Sequence, residues 1–269
     1  MKAAVLGSPI EHSLSPVLHR AGYVAAGLAG WSYERHRVEA AELSAFVARL
    51  DEEWRGLSLT MPLKQQCLVV ATEVTALARR AGAGNTLTKL PGGGWRADNT
   101  DIGGLMDALR PGWQPDWQDA AVLGAGATAR SALLALEGLG VTQVTVHARR
   151  SEQAAGLIAW AEAAELRLGV KAAALAEWGS GHQPVVLSTL PPGTGAEAWL
   201  AEARGGLLLD AVYAGWPTPL ARRGAAAGMQ VVGGLELLVA QAARQFEQFT
   251  GVAAPVEAMR AAGRAALGD

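Results

Sequence analysis

Short apolar runs alternate with longer amphipathic stretches along most of this chain, and the alternation begins at once. Ala3–Leu6 reads as a strand, Pro16–Ala29 as a helix, Trp31–Val38 as a strand, Ala40–Leu50 as a helix and Gly56–Thr60 as a strand. This order predicts an α/β layer with mainly parallel strands. Pro16 is placed for the first turn of its helix with Ser15 as N-cap, and Pro62 for the opening of the next helix, with Lys64 in its first turn. Thr86–Lys89 and Trp95–Ala97 flank Pro91-Gly92-Gly93-Gly94, which marks a hairpin turn or a loop, and Ile102–Leu109 reads as a helix.

In the second half the pattern changes character at Val122-Leu123-Gly124-Ala125-Gly126-Ala127-Thr128-Ala129-Arg130, where an apolar run breaks into Gly-x-Gly-x-x-Ala and then turns helical. That is how a dinucleotide-binding fold begins. Gly124 allows the tight turn, Gly126 lets backbone approach a pyrophosphate, and Ala129 is small enough for close packing of helix on strand. The phosphates then sit at the start of the helix that follows, whose free N–H groups and dipole favour anions. Gly140 ends the helical run Ser131–Leu139, and Gln143–His147 is a second strand leading into Ala148-Arg149-Arg150. An NAD site places a carboxylate after that strand, whereas here two arginines follow an alanine. NADP is therefore the expected cofactor, its extra phosphate held by guanidinium groups.

Further strands are expected at Val170–Ala174, Val185–Ser188, Leu207–Ala211 and Gln230–Val232, then a long helix over Leu235–Phe249 and a last one opened by Pro255. Pro111-Gly112-Trp113-Gln114-Pro115-Asp116-Trp117 looks like a connection into the cofactor-binding sheet, which starts near Gln118. The expected architecture is α/β with two domains: an N-terminal α/β substrate domain of residues 1–103 plus 236–269, to which the last two helices return, and a Rossmann-type domain of residues 104–235.

Composition narrows the class of function. The chain has 269 residues, half of them hydrophobic, with a formal net charge of -2 and one cysteine, Cys67. Neither the charge nor any aromatic motif suits nucleic-acid binding, so a small-molecule partner is expected. A single cysteine gives no disulfide framework and no zinc-ligand spacing, and no metal is expected. Met1-Lys2 leads straight into a strand too short for a signal core or a membrane span. A cytoplasmic protein with no membrane partner is the expectation, either monomer or homodimer.

Three polar groups in the first domain stand out. Ser13 and Ser15 lie where a loop enters a helix, so hydroxyl and backbone donors can converge on a carboxylate, although Ser15 can also simply cap. Lys64 follows Thr60 and Pro62, and a lysine near a helix start is electrostatically unfavourable unless it has work to do. Asp98-Asn99-Thr100-Asp101 precedes a helix that any of the last three can cap.

Taken together, these segments resemble the shikimate dehydrogenase family, most of all its actinobacterial type. Gly7-Ser8-Pro9-Ile10-Glu11-His12-Ser13-Leu14-Ser15-Pro16-Val17-Leu18-His19 matches the amino-terminal family pattern. Ser58-Leu59-Thr60-Met61-Pro62-Leu63-Lys64 matches a second one, with Ser58 and Leu59 in place of the usual Asn and Val. Gly84-Asn85-Thr86, Asn99-Thr100-Asp101, the glycine motif, Asp210-Ala211-Val212-Tyr213, Pro217-Thr218-Pro219-Leu220 and Ala240-Gln241-Ala242-Ala243 follow in the family's order. The resemblance implies reversible NADPH-dependent reduction of 3-dehydroshikimate to shikimate, in aromatic amino acid biosynthesis. It further implies Lys64 and Asp101 as the catalytic pair, Ser13 and Ser15 on the substrate carboxylate, and Thr60, Asn85, Asp101 and Gln241 on ring hydroxyls, with Tyr213 on the substrate side. For NADP it implies Gly124, Gly126, Ala127 and Thr128 at the phosphates, Arg149 and Arg150 at the adenosine phosphate, and Gly234 near the nicotinamide. The chain departs from the family pattern also at Arg20, Ala148, Glu236 and Leu237. A quinate or aminoshikimate dehydrogenase and a non-catalytic NADP-binding sensor are the alternatives.

Overall fold

The computed structural model describes residues 1–180, 183–200 and 205–268, without the side chains of Ser180 and Trp199. By internal contacts the chain divides into two units, Met1–Gly104 with Leu238–Asp269, and Leu105–Leu237.

The first unit opens with β1 (Lys2–Gly7), α1 (Ser15–Ala25), β2 (Ser32–Arg37), α2 (Leu43–Ala48) and β3 (Trp54–Leu59), followed by α3 (Gln66–Val70), β4 (Glu73–Val74) and α4 (Ala76–Ala81). β5 (Thr86–Lys89) and β6 (Trp95–Asp98) form an antiparallel hairpin around Pro91–Gly94, and α5 (Thr100–Leu109) follows. The second unit contains β7 (Asp119–Leu123), α6 (Ala127–Gly138), β8 (Gln143–Ala148), α7 (Ser151–Ala163) and β9 (Gly169–Ala174), then β10 (Val185–Ser188), β11 (Leu207–Asp210), α8 (Pro219–Ala226) and β12 (Gln230–Gly233). α9 (Gly234–Thr250) and α10 (Val256–Leu267) complete the chain.

In the first unit the strand order is β2-β1-β3-β5-β6-β4, with β1 parallel to β2 and β3 and the β3–β5–β6 steps antiparallel. Leu6, Leu57, Leu59, Leu63, Leu87 and Trp95 form a buried core on this sheet. The second sheet runs β12-β11-β10-β7-β8-β9, and its pairings are all parallel. Strands covered on both faces read as unbroken apolar runs, which is why Val185-Val186-Leu187 and Leu207-Leu208-Leu209 are buried throughout. The order of connection reverses between β7 and β10, the switch point at which such sheets bind nucleotides.

Three local expectations need correction. Ser15 is the first residue of α1 rather than its cap, since the cap position is Leu14 with no side-chain bond and the Ser15 N–H turns to Ser13 Oγ at 3.3 Å. The same helix stops at Ala25, not Ala29, because Gly27 adopts φ +68° and the Leu28 N–H returns to the Tyr23 carbonyl. Pro62 does not open a helix and Lys64 is not in a first turn, since α3 begins at Gln66. The Lys64 carbonyl accepts the Gly84 N–H at 2.8 Å, a long-range bond that takes this carbonyl out of any helical ladder.

Candidate functional site

The first unit gathers its polar residues where β3, β5 and α5 meet. Asn85 is stitched between two strand ends: its N–H donates to the Asp98 carbonyl at 3.0 Å and its carbonyl accepts the Leu59 N–H at 2.7 Å. Gly84 is needed there, because a Cβ would come within 2.8 Å of Cys67 Sγ and 3.0 Å of the Asp98 carbonyl. The approach brings Lys64 to Asp101. Lys64 Nζ donates to Asp101 Oδ2 at 2.6 Å, and Asn85 Nδ2 donates to Asp101 Oδ1 at 2.8 Å. The Lys64 and Asp101 side chains keep 21% and 13% of their exposure, so the pair is reachable by a ligand.

Asp101 was a candidate helix cap, but both of its oxygens hold these side chains, and the Thr100 N–H at the start of α5 goes instead to Asn85 Oδ1 at 2.8 Å. Gln241, on α9, places Oε1 3.4 Å from Asn85 Nδ2 and donates through Nε2 to the Leu238 carbonyl. Thr60 is half-buried at the end of β3, with its N–H on the Leu6 carbonyl. Ser13 and Ser15 have hydroxyls 3.3 Å apart, and Arg35 anchors their loop by donating to the Ser13 carbonyl at 2.6 Å. The Ser15 hydroxyl also lies beside the Tyr33 phenol.

Several side chains of this cluster escape sequence reading. Ser58 accepts from Tyr33 Oη at 2.6 Å and donates to Gln245 Oε1 at 2.7 Å, and Gln248 Nε2 donates to Asp98 Oδ2 at 2.7 Å. The one signal that could have found the glutamines is their spacing, since Gln241, Gln245 and Gln248 form a polar stripe down a helix whose neighbours Ala242, Phe246 and Phe249 are buried. Burial pushes the Tyr33 phenol up, the Cys67 thiol up to about 12, and His19, stacked on Tyr33 at 4.1 Å, down to about 3.

The second unit offers a different kind of site. Gly124 has φ +102°, and a Cβ there would stand 2.5 Å from Thr189 Oγ1, so this turn accepts only glycine. Thr189, at the end of β10, donates to the Leu123 carbonyl at 2.9 Å and backs the loop across the switch point. A Cβ on Gly126 would meet nothing within 4 Å. α6 starts at once on Ala127, earlier than Ser131, with Gly126 as cap, no side-chain cap bond and no acidic residue in its first turn. An open cradle with backbone N–H groups at a helix start fits a pyrophosphate.

Arg149 and Arg150 are both exposed just past β8, Arg150 being the N-cap residue of α7, and no carboxylate stands between them and Ala148. Gly234 opens α9 where a Cβ would come within 2.3 Å of the Ala211 carbonyl, so its lack of a side chain lets α9 start against the Ala211–Val212 backbone. Tyr213 follows in that segment, half-buried, with its phenol pushed up by burial. Asp210 and Thr218 brace the segment by a 2.6 Å bond, and burial raises the Asp210 carboxyl.

Residues 5–87 match the substrate binding domain of shikimate dehydrogenase, and residues 234–262 match the shikimate 5'-dehydrogenase C-terminal domain. Over 283 aligned residues the chain is 36% identical to the NADP(+) shikimate dehydrogenase of Synechococcus sp. (strain JA-3-3Ab), an alignment that covers 98% of this chain and 94% of that protein. The chain belongs to the shikimate dehydrogenase family. Its fold superposes on Mycobacterium tuberculosis shikimate dehydrogenase with a TM-score of 0.87 at 45% identity, covering 98% of this chain and 99% of that one. The family's Thermus thermophilus enzyme, in complex with NADP(H) and shikimate, superposes with a TM-score of 0.86 at 30% identity, covering 99% and 100%. The α/β architecture expected from the sequence, a substrate-binding part with a Rossmann-type part, is the family's own. No helix among the described residues is long and apolar enough to cross a membrane.

Proposed function

We propose that this chain catalyses the reversible NADPH-dependent reduction of 3-dehydroshikimate to shikimate, a step of aromatic amino acid biosynthesis. The observation that carries this reading is the Lys64 ammonium held 2.6 Å from an Asp101 carboxylate whose other oxygen is pinned by Asn85. Bound NADPH supplies the hydride. As charge grows on the substrate's carbonyl oxygen, the Lys64 ammonium hydrogen-bonds that oxygen and gives up a proton to it. Asp101 orients the ammonium through a charge-assisted bond.

Ser13 and Ser15 present neutral hydroxyls for the substrate carboxylate. Thr60, Asn85, Asp101 and Gln241 are assigned to the ring oxygens, which fixes the ring so that the carbonyl lies at Lys64. Gly124, Gly126, Ala127 and Thr128 would hold the cofactor pyrophosphate, Arg149 and Arg150 its adenosine phosphate, and Gly234 the nicotinamide end. A lone buried cysteine suits a reducing compartment and supports a cytoplasmic site of action.

A panel of shikimate, quinate and an aminoshikimate, each with NADP and NAD, tests the reading by cofactor absorbance at initial rate. Shikimate with NADP is expected to give the highest kcat/KM. A higher value for quinate or aminoshikimate would make the chain a dehydrogenase of that substrate, and no turnover on any would leave a binding protein.

A further inference from the structure

We infer that Gln245, backed by Ser58 and Tyr33, is a positioning residue for the Lys64–Asp101 pair, and that it acts through Thr86 and the Asn85 carbonyl to strengthen the lock, shared with the Thr100 N–H and hydroxyl, that keeps the Asn85 amide nitrogen toward Asp101. The inference rests on reading Lys64 and Asp101 as the reacting pair. Its basis is a chain of buried hydrogen bonds whose direction can be deduced at every link.

Two backbone groups fix the direction, because neither can reverse. The Asn85 carbonyl only accepts, so the Gln245 atom 3.0 Å from it is Nε2, and the same nitrogen donates to Thr86 Oγ1 at 3.0 Å. The Thr100 N–H only donates, so the Asn85 atom 2.8 Å from it is Oδ1. Thr86, having accepted from Gln245, donates its own hydroxyl hydrogen to Asn85 Oδ1 at 2.8 Å. Asn85 must then turn Nδ2 to Asp101.

The other end is fixed by the same reasoning. With Gln245 Nε2 engaged, its Oε1 is an acceptor, so Ser58 donates to it at 2.7 Å, and Ser58 Oγ must in turn accept from Tyr33 Oη at 2.6 Å. Burial keeps that phenol protonated and able to donate. Tyr33, Ser58, Thr86, Asn85 and Gln245 are each 3% exposed or less, so water does not compete for any link. A fully satisfied buried network is rigid, and a break in it leaves polar groups unpaired. Here its last donor is the one that pins Asp101 Oδ1.

Ser58 stands where the family pattern carries Asn. In this chain its single hydroxyl both accepts from Tyr33 and donates to Gln245, which joins the phenol to the catalytic side of the sheet.

Two variants interrupt the chain at different places. Gln245→Leu removes the junction, while Tyr33→Phe removes the phenol hydroxyl, which also lies beside Ser15 so that KM for shikimate is read separately from kcat, and keeps the ring that stacks on His19. We expect kcat to fall about tenfold in Gln245→Leu and roughly threefold in Tyr33→Phe, with KM for NADP unchanged. In an Asp101→Asn background each substitution should have less than about a twofold further effect, since residues that act through one another are not additive. Losses that multiply fully in both backgrounds would mean a packing role and would overturn the inference. Side-chain amide resonances of Asn85, read by NMR on the ligand-free protein, should shift in both variants. Unchanged resonances in folded variants would overturn the relay whatever the rates. If Gln245→Leu does not fold, Tyr33→Phe gives both readouts, and if wild type turns over no shikimate the functional reading fails while the NMR result still decides the relay.

Discussion

The substrate side and the cofactor side of this chain are built on opposite plans. In the first unit the polar side chains hold one another: Asp101, Asn85, Thr86, Gln245 and Ser58 each make at least two bonds. In the second unit the cradle is made of backbone and space, with Gly126 facing nothing within 4 Å and Arg149 and Arg150 exposed. A site that has to aim a proton needs groups fixed before the ligand arrives. A site that only has to hold phosphate can offer N–H groups and mobile cations, which the ligand itself completes.

The largest effect should come from the fixed site. Lys64→Ala should lower kcat by about 10²-fold or more, the usual scale for a lost general acid, while NADP still binds and the protein stays folded. Steady-state rates near wild type would remove Lys64 from the reacting pair.

How much of each plan can be read in the sequence follows from the same difference. The glycine cradle is local, so Gly124, Gly126 and the helix that follows are visible in a few consecutive residues. The β5–β6 hairpin is visible for the same reason. Lys64 and Asp101 are separated by Asn85 and a hairpin, and no local spacing pairs them; only the resemblance to a family did so. Local rules even misplaced Lys64 in a helix, because the bond from Gly84 to its carbonyl is a tertiary contact that propensity does not see. Ser15 has the sequence of a cap but starts the helix instead for a similar reason, its N–H being taken by Ser13 Oγ. The Tyr33–Ser58–Gln245 links were invisible because three distant segments supply them.

Next in size is the cofactor choice. Arg149→Ala with Arg150→Ala should weaken NADP binding by roughly 1.5–3 kcal/mol per lost charged hydrogen bond and leave NAD use nearly unchanged. Titration of each cofactor checks this, and equal losses for both would show that the arginines do not read the extra phosphate.

A smaller effect is expected at the carboxylate anchor. Ser13→Ala with Ser15→Ala should raise KM for shikimate by about tenfold with little change in kcat, because a remote carboxylate is held alike in ground and transition states. A fall in kcat at constant KM would contradict that role. Thermal melts of the same double variant separate binding from any loss of the Ser15 N–H bond.

The last effect falls on acid stability rather than on activity or binding. His19 is fully buried in a stack with Tyr33, and desolvation lowers its pKa from about 6.5 to about 3. Above pH 6.5 neither state binds the proton and stability is full. As pH falls from 6.5 toward 3 the unfolded chain takes up a proton that the folded one refuses, which removes up to about 1.4 kcal/mol per pH unit. His19→Phe should therefore make the acid limb of urea-unfolding stability shallower, and parallel limbs in the two proteins would refute the buried neutral histidine.

Hydrogen exchange on the ligand-free protein, repeated with shikimate and with NADP, tests the contrast between the two sites most directly. The amides of Asn85 and Thr100, already bonded to Asp98 and to the Asn85 side chain, should be protected before any ligand is added and change little with shikimate. The amides of Gly126, Ala127 and Thr128 should exchange quickly in the free protein and slow markedly with NADP. Fast exchange at Asn85 and Thr100 that slows only when shikimate binds would contradict the account, because the proton-delivery site would then be assembled by its substrate rather than ready for it.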